Sequence, residues 1–386
     1  MIIFSYNLFQ IILYPIIILV GFVRIIKKKE TPVSFQQKLF SHHNFQELSK
    51  FETMIHFASI GEFNSIKFLI RNFKEKSFFL SCSTLSSYHL AKTVYPNNKI
   101  IFLPLDFFWN VKKFTSHLKL KKIIWIDSEI WPNWLVISKS NYIKNILVNA
   151  RLSEKSFNRW KLFPSFSKFI GKKYDLVFAK SIIDQVKFNE VFNIKSVYYG
   201  NLKFDQTVDI PVVKNQIICF ASIHKNEFSK INKILLMVDM NLIEEVIIIP
   251  RHVQYLSELE NTLDQKIKSK VHIHSKFGNN LPLFSKSKLV FMGGSLIDRG
   301  GQNPLEALSK GCFILTGSYY ENFKELYDEL SKMNLCKIFS NNDLSQISSE
   351  INDLISKDKD ISNIIVNYFS TQQSNLKNIV KEIEKC

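Results

Sequence analysis

The sequence predicts an α/β protein made of two Rossmann-like halves behind an N-terminal apolar helix. Three observations carry this. Short continuous apolar runs recur along the chain, as strands buried on both faces of a parallel sheet require. Helical stretches separate those runs, which is the alternation of right-handed βαβ units. The chain has 386 residues, room for two domains at roughly 150 residues each.

The first element is the stretch from Ile2 to Val23, which carries no charge. It is long enough for the ~20 residues that cross a ~30 Å hydrocarbon core, although Asn7, Gln10 and Pro15 interrupt it. Arg24, Lys27, Lys28 and Lys29 follow at once. Positive flanks stay on the cytoplasmic side, so the body of the chain is expected there. A cleaved signal peptide does not fit, because no basic region precedes the apolar run and no small-x-small site follows it. A helix lying in the interface is the alternative to a spanning one, since Tyr6, Tyr14 and the trailing lysines suit headgroup depth.

Strands are then expected at Met54–Phe57, Phe78–Ser81, Ile100–Leu103, Ile123–Ile126, Ile146–Asn149, Leu176–Ala179 and Ser196–Tyr199. A second series is expected at Ile217–Ala221, Val246–Ile249, Val271–His274, Leu289–Met292 and Phe313–Leu315. The pattern breaks between Asp205 and Asn215, where Asp209, Pro211 and Lys214 fall. The expected organisation is an anchor and basic flank over 1–29, one Rossmann-like domain over 30–210 and another over 211–386. The tail is helical: Ile347, Ile351, Leu354 and Ile355 form one apolar stripe, and Ile361, Ile364, Ile365 and Tyr368 another. Ligands of such folds bind beyond the carboxyl ends of strands, so a cleft between the halves is the expected site.

Composition narrows the function. Lys and Arg number 51 against 34 Asp and Glu, a net charge of +17, which suits anionic partners. A bias toward Ile, Lys, Asn and Phe accounts for it equally well. The five cysteines are scattered without a C-x-x-C, which argues against a disulfide framework or a zinc site and suits a reducing compartment. No H-E-x-x-H occurs, and His272 and His274 alternate on a probable strand, so no structural metal is expected. No recognition helix or aromatic RNA-binding signature is present, and nucleic acid is not an expected partner.

Five stretches sit where chemistry belongs, just after apolar runs. In Ser59-Ile60-Gly61-Glu62, the glutamate opens a helix, where it serves as a general base or only complements the helix dipole. Trp125-Ile126-Asp127-Ser128-Glu129-Ile130-Trp131-Pro132-Asn133-Trp134 ends a strand with two carboxylates. Carboxylates there are costly without partners; the plainer reading is a solvated turn beside core tryptophans. Pro132 fits the first turn of a helix. Arg151, in Asn149-Ala150-Arg151-Leu152-Ser153-Glu154, and Lys203, in Gly200-Asn201-Leu202-Lys203-Phe204-Asp205, would neutralise an anion or sit on the surface. Pro250-Arg251-His252 offers a base for a phosphate, or an ordinary loop arginine. Gly293-Gly294-Ser295 and Gly300-Gly301-Gln302-Asn303-Pro304-Leu305-Glu306 flank a helix start. Asn303 is the expected N-cap, Pro304 the first helical residue and Glu306 the reciprocal partner of a capping box, or an acceptor for ribose hydroxyls. The loop would offer free N–H groups to a phosphate. It is neither G-x-G-x-x-G nor a Walker A loop.

In order, these motifs resemble the Kdo (3-deoxy-D-manno-oct-2-ulosonic acid) transferases of lipopolysaccharide synthesis, glycosyltransferase family 30. The family patterns S-V-G-E, L-P-x-D, E-x-E-L-W-P-N, N-A-R-L-S, G-x-L-K-F-D, P-R-H and G-G-S-L…R-G-G-H-N-P-L-E meet Ser59–Glu62, Leu103–Asp106, Asp127–Asn133, Asn149–Ser153, Gly200–Asp205, Pro250–His252 and Gly293–Glu306. The resemblance runs from Ser59 to Phe323. It implies a GT-B fold, CMP-Kdo as donor, a lipid A precursor (lipid IVA) as acceptor, inversion at the anomeric centre, and no metal or cofactor. It also implies an inner-membrane enzyme with its domains on the cytoplasmic side among anionic lipids. Glu62 would be the general base, and Asp127 and Lys203 would stabilise the transition state. Pro250, Arg251, His252, Gly278, Asn279, Asn303, Pro304, Leu305 and Glu306 would hold the CMP. The chain departs from the family pattern at Asp127 (glutamate in the family), Gln302 (histidine), Val253-Gln254-Tyr255 (P-E-R) and Asn279 (glutamate). A GT-B enzyme with another donor or acceptor, and a non-enzymatic protein binding anionic lipid, are the competing readings.

Overall fold

The structure, a computed structural model, describes residues 2–73, 77–211, 214–275, 280–340, 343–357 and 360–386. Contacts divide the chain into two compact units, Met1–Asp205 with Gln372–Cys386, and Gln206–Thr371.

The first unit holds β1 (Thr53–Phe57), β2 (Phe78–Cys82), β3 (Ile100–Phe102), β4 (Lys122–Ile126), β5 (Lys144–Ala150), β6 (Leu176–Ala179) and β7 (Val197–Tyr198). Among the described residues they form one sheet in the order β3-β2-β1-β4-β5-β6-β7, with parallel pairings. Strands β1, β2, β3 and β4 are buried at every position, which is why they read as unbroken apolar runs rather than alternating ones. Chain order reverses between β1 and β4, the switch point at which doubly wound sheets place ligands.

The core beneath this sheet is aromatic. Trp125 and Trp134 meet edge to face at 5.7 Å, both fully buried, each such side chain contributing about 1.5–3 kcal/mol or more. Their indole N–H groups are satisfied by Asn145 Oδ1 at 3.2 Å and by the Pro104 carbonyl at 3.0 Å. Helix Pro132–Ser140 begins at Pro132 and has no cap from its own N-cap residue, Trp131. Asp106 supplies it from afar: its carboxylate accepts from the Asn133 and Trp134 N–H groups at 3.2 and 2.8 Å. The aspartate of the Leu103–Asp106 motif is thus a helix cap delivered across the fold.

The second unit holds β8 (Ile217–Ile223), β9 (Glu245–Pro250), β10 (Val271–Ile273), β11 (Leu289–Met292), β12 (Phe313–Thr316) and β13 (Cys336–Ile338). Its sheet runs β10-β9-β8-β11-β12-β13, again parallel, the doubly wound order with its switch point between β8 and β11.

Three details differ from the sequence reading. Strand β7 lacks Ser196, whose N–H and hydroxyl are both spent on Asn189 Oδ1. Strand β13 was not expected, because a three-residue run containing Lys337 carries no apolar signal. The tail was placed wholly with the second half, yet residues from Gln372 onward belong to the first unit. There Leu376, Ile379 and Ile383 of the final helix, Ser362–Lys385, are buried, and a Cβ on Gly200 would press on Gln372 and Leu376.

Candidate functional site

One candidate cluster, within the first unit, lies at the β1–β4 switch point. Helix Ile60–Asn72 starts after β1 with Ser59 as N-cap. Ser59 Oγ accepts from the Glu62 N–H at 3.3 Å and donates to Glu62 Oε1 at 3.1 Å, while Glu62 Oε2 accepts from the Ala58 N–H at 2.6 Å. Two local bonds therefore hold the carboxylate at the helix N-terminus, the arrangement of a capping box shifted by one residue. Burial pushes the Glu62 carboxyl up to about 7; the Ala58 N–H opposes this, and the Glu129 and Asp127 charges add to it. The helix-terminus reading of Glu62 is what the geometry shows, and the carboxyl held there is raised toward neutrality.

Glu129 is held beside it. Its carboxylate lies 3.2 Å from Nε2 of the fully buried His56 and accepts from the Trp131 indole N–H. Nδ1 of His56 meets Ser81 Oγ at 2.9 Å. The Asp127–Trp134 stretch therefore divides: Trp125 and Trp134 are core, whereas Asp127 and Glu129 are partly buried rather than on a freely solvated turn.

Asp127 closes β4 in the left-handed region, with φ at 65°. Aspartate is among the non-glycine residues most often found there, which suits the short carboxylate at this position. Its Oδ1 is buried without a hydrogen-bond partner. Burial raises its pKa, opposed by the charges of Lys180, Arg151 and Lys203. Burial likewise lowers the pKa of Lys180, opposed first by Asp127. The Asn149 and Gly200 motifs meet here: Asn149, at φ 58°, accepts from the Leu202 N–H at 3.3 Å, and Asn201 Oδ1 accepts from the Lys203 N–H at 3.0 Å. An apolar cavity of about 370 Å³ in this unit is bounded by Ile17 and Val20 of the N-terminal helix, by Leu39 and Leu103, and by Ala58 and Glu129.

A separate candidate cluster, within the second unit, lies at the β8–β11 switch point. Arg251 and His252 follow β9, exposed, with the Arg251 N–H tied to the Ile223 carbonyl at 2.8 Å. His224 follows β8; its pKa is lowered by burial first, then by the charges of Arg251, His252 and Arg299. The His224 and His252 rings are 6.0 Å apart. This is a cluster of bases, and the nearby carboxylate, Glu227, accepts from the His224 backbone N–H at 2.9 Å.

The glycine loop behaves differently from expectation. The N–H groups of Gly294, Ser295 and Leu296 are not free: they donate to the fully buried carboxylate of Glu227 at 2.8, 3.2 and 3.0 Å, and His224 N–H adds a fourth bond at 2.9 Å. The Gly301 N–H goes to the Gly294 carbonyl. The loop forms an anion nest, and the protein fills it with its own side chain. Gly293 is required there, since a Cβ would meet the Ser222 carbonyl oxygen at 2.5 Å.

Asn303 is not the N-cap. The short helix Leu305–Ser309 starts one residue later than expected, with Pro304 as N-cap. Asn303 Oδ1 accepts from the Leu305 N–H two residues on at 3.3 Å, an Asx-type turn ahead of the helix. Glu306 is therefore one position too early for a capping box; its side chain is exposed, whereas Pro304 and Leu305 are buried. Gly278 and Asn279 lie outside the described residues.

With this geometry in place, comparison with known proteins is informative. The family model for 3-deoxy-D-manno-octulosonic-acid transferase (kdotransferase) matches residues 27–206. The 3-deoxy-D-manno-octulosonic acid transferase of Rickettsia bellii is 30% identical over 350 residues, covering 81% of this chain and 81% of the relative. The chain belongs to the Kdo transferase family. The Kdo transferase of Aquifex aeolicus is 27% identical over 296 residues, covering 72% of this chain and 79% of that one. Among solved structures, a glycosyltransferase from Rickettsia africae aligns with a TM-score of 0.58 at 14% identity, over 87% of this chain and 99% of that one. Acinetobacter baumannii MurG aligns with a TM-score of 0.54 at 9% identity, over 87% and 100%. These two likenesses show the GT-B type of fold.

For this Kdo transferase family member, sequence reasoning passed over His56, Lys180, His224 and Glu227 as site groups. His56 interrupts an apolar strand, and Lys180 follows β6 as a lone base. A signal existed for Lys180 and His224: each directly follows a buried run, the position that singled out Arg251.

Proposed function

We propose that this chain is an inverting glycosyltransferase that moves Kdo from CMP-Kdo to a lipid A precursor, lipid IVA, in lipopolysaccharide core biosynthesis. The observation that carries the reading is Glu62, fixed at a helix N-terminus beyond β1 with its pKa raised to about 7. A base poised there takes the proton of an acceptor hydroxyl near neutral pH. As the hydroxyl oxygen bonds to the anomeric carbon, the carbon–phosphate oxygen bond breaks and CMP departs with the electron pair.

Asp127, with its unpartnered Oδ1, faces the positive charge that builds on the anomeric carbon, and Lys203 takes the carboxylate of the donor sugar. The first unit binds the acceptor, and the cavity between Ile17 and Leu103 supports a lipid one. The second unit binds the donor nucleotide. Arg251 and His252 receive the departing phosphate, with His224 and Arg299 adding to the local field. Pro250, Gly278, Asn279 and the Asn303–Glu306 stretch complete the nucleotide site in this reading. Prearranged cations at the departing charge are the kind of stabilisation such a transfer needs, and the transfer is proposed to proceed without a metal. The N-terminal helix attaches the enzyme to the cytoplasmic face of the inner membrane.

The test is product mass. Protein is incubated with lipid IVA, Kdo, CTP and a Kdo-activating enzyme, beside a Glu62→Gln sample. A gain of one or more Kdo units, lost in the variant while CMP still binds by calorimetry, is the expected outcome. CMP binding without product would redirect the assignment to another acceptor, and absence of both would defeat it.

A further inference from the structure

The N-terminal helix, Ile2–Ile26, touches the first unit along one stripe. Tyr6 donates to Asp106 Oδ2 at 2.8 Å, and Gln10 Oε1 accepts from Asn133 Nδ2 at 3.0 Å. Tyr14 sets its ring edge-on to Phe107 and Trp109, at 5.0 and 5.4 Å. Gly21 is so close to Phe35 that a Cβ would reach its ring at 2.1 Å. Positions 6, 10, 14 and 21 share one helical face, and Tyr6 to Gly21 covers about 22 Å at 1.5 Å per residue. The opposite face is Phe4, Leu8, Ile12, Ile16, Leu19 and Val23, all exposed.

A helix that crosses a bilayer parts from its cytoplasmic domain at the membrane surface. Here the unit follows the helix for most of the ~30 Å that a hydrocarbon core measures. Standing the helix upright would carry Asp106 and Asn133 into hydrocarbon. Breaking the contacts instead would leave the Tyr6 hydroxyl and Gln10 amide without partners there, which is costly. Lying flat keeps the polar stripe on protein and gives the apolar stripe to the acyl chains.

A second observation points the same way. The unit presents exposed apolar side chains beside the helix at three places along it. Leu162 and Phe163 stand just ahead of Phe166, whose ring is 5.9 Å from Tyr6. Phe108 and Trp109 stand by Tyr14. Phe40 packs edge-on to Phe35, which in turn meets Phe22. A spanning helix leaves these groups uncovered. The exposed Lys27, Lys28 and Lys29 at the helix end, on a chain of net charge +17, match an anionic headgroup layer.

We propose that the N-terminal helix lies in the plane of an anionic bilayer, latched by Asp106 and Asn133, and forms a monotopic contact face with the aromatic side chains of the first unit. The proposal rests on membrane attachment but not on which sugar or acceptor is used. The test takes the full chain in sealed vesicles of phosphatidylethanolamine and phosphatidylglycerol, with protease-cleavable tags ahead of Met1 and after Cys386. Cleavage of both tags from the same side is expected; an N-terminal tag cut only after detergent is added overturns the proposal. Spin labels at Phe4→Cys, Ile12→Cys and Leu19→Cys, in a Cys386→Ser background, should report one shallow depth. A depth that peaks at position 12 overturns it, as does self-association without contact between the labels and lipid.

Discussion

The two units place the ends of their central strands in opposite electrostatic company. In the first, three carboxylates (Glu62, Asp127 and Glu129) gather at the β1–β4 switch point, and the charges of Glu129 and Asp127 add to the burial that raises the Glu62 pKa. In the second, Arg251, His252, His224 and Arg299 gather around the end of β8, and the carboxylate in that region, Glu227, is turned inward to fill the glycine nest. The same doubly wound topology thus carries a cluster of carboxylates at one switch point and a cluster of bases at the other. Topology decides where a site falls; the sign of a few strand-end side chains decides what it does.

The largest expected effect breaks the first unit's role alone. Glu62→Gln should lower kcat by roughly 10²–10⁴-fold, the usual range for a lost general base, with CMP affinity unchanged. Its stability signature is equally specific. A carboxyl raised to about 7 favours the folded state fully below the unfolded value and loses that contribution as pH rises through about 7. The glutamine variant should therefore unfold at a higher temperature than the parent at pH 8, with the difference vanishing near pH 4. Equal melting temperatures at pH 8 would show that Glu62 is not raised.

Arg251→Ala makes the complementary cut. A charge-assisted bond to phosphate is worth about 1.5–3 kcal/mol, so CMP binding should weaken by roughly 10–100-fold in calorimetry. The acid limb of the pH–rate profile should not move. If the limb shifts instead, the two units are not separate in their chemistry.

Glu227→Gln probes the filled nest. Glutamine offers one oxygen where four N–H groups now converge on two, leaving some unsatisfied at about 1–3 kcal/mol. Urea denaturation should register that loss, and a neutral result would mean the loop N–H groups find other partners.

How much of this was legible in the sequence follows from the physics of each element. The buried strands could be read because a parallel strand covered on both faces has no polar positions to disguise it. Glu62 could be read because its partners, Ala58 and Ser59, are local. Glu227 could not, since its partner loop lies 67 to 69 residues away. Asp106 could be placed by motif but not explained, because the helix it caps begins beyond an intervening helix and strand. Asn303 was misassigned by one position for a local reason: its side chain closes a two-residue turn onto the Leu305 N–H, which leaves Pro304 at the cap position. Tertiary partners, rather than local preferences, made up most of what was missing.

The smallest expected effect sharpens the comparison most, because it tests whether the carboxylates of the first unit act as a set. Burial is the main cause of the raised Glu62 pKa, and Glu129 is the first of the neighbouring charges that add to it. Removing that charge leaves a less elevated carboxyl, which loses its proton at lower pH. Glu129→Gln should therefore move the acid limb of kcat/KM toward lower pH. Glu129 also holds His56 at 3.2 Å, so a loss of rate alone would say little about charge. Glu129→Asp separates the causes: it keeps the negative charge while shortening the reach to His56, and its acid limb should stay where the parent's lies even if its rate falls. A limb that moves equally in both variants would assign the effect to His56 geometry, and the carboxylates would then be neighbours rather than a coupled set.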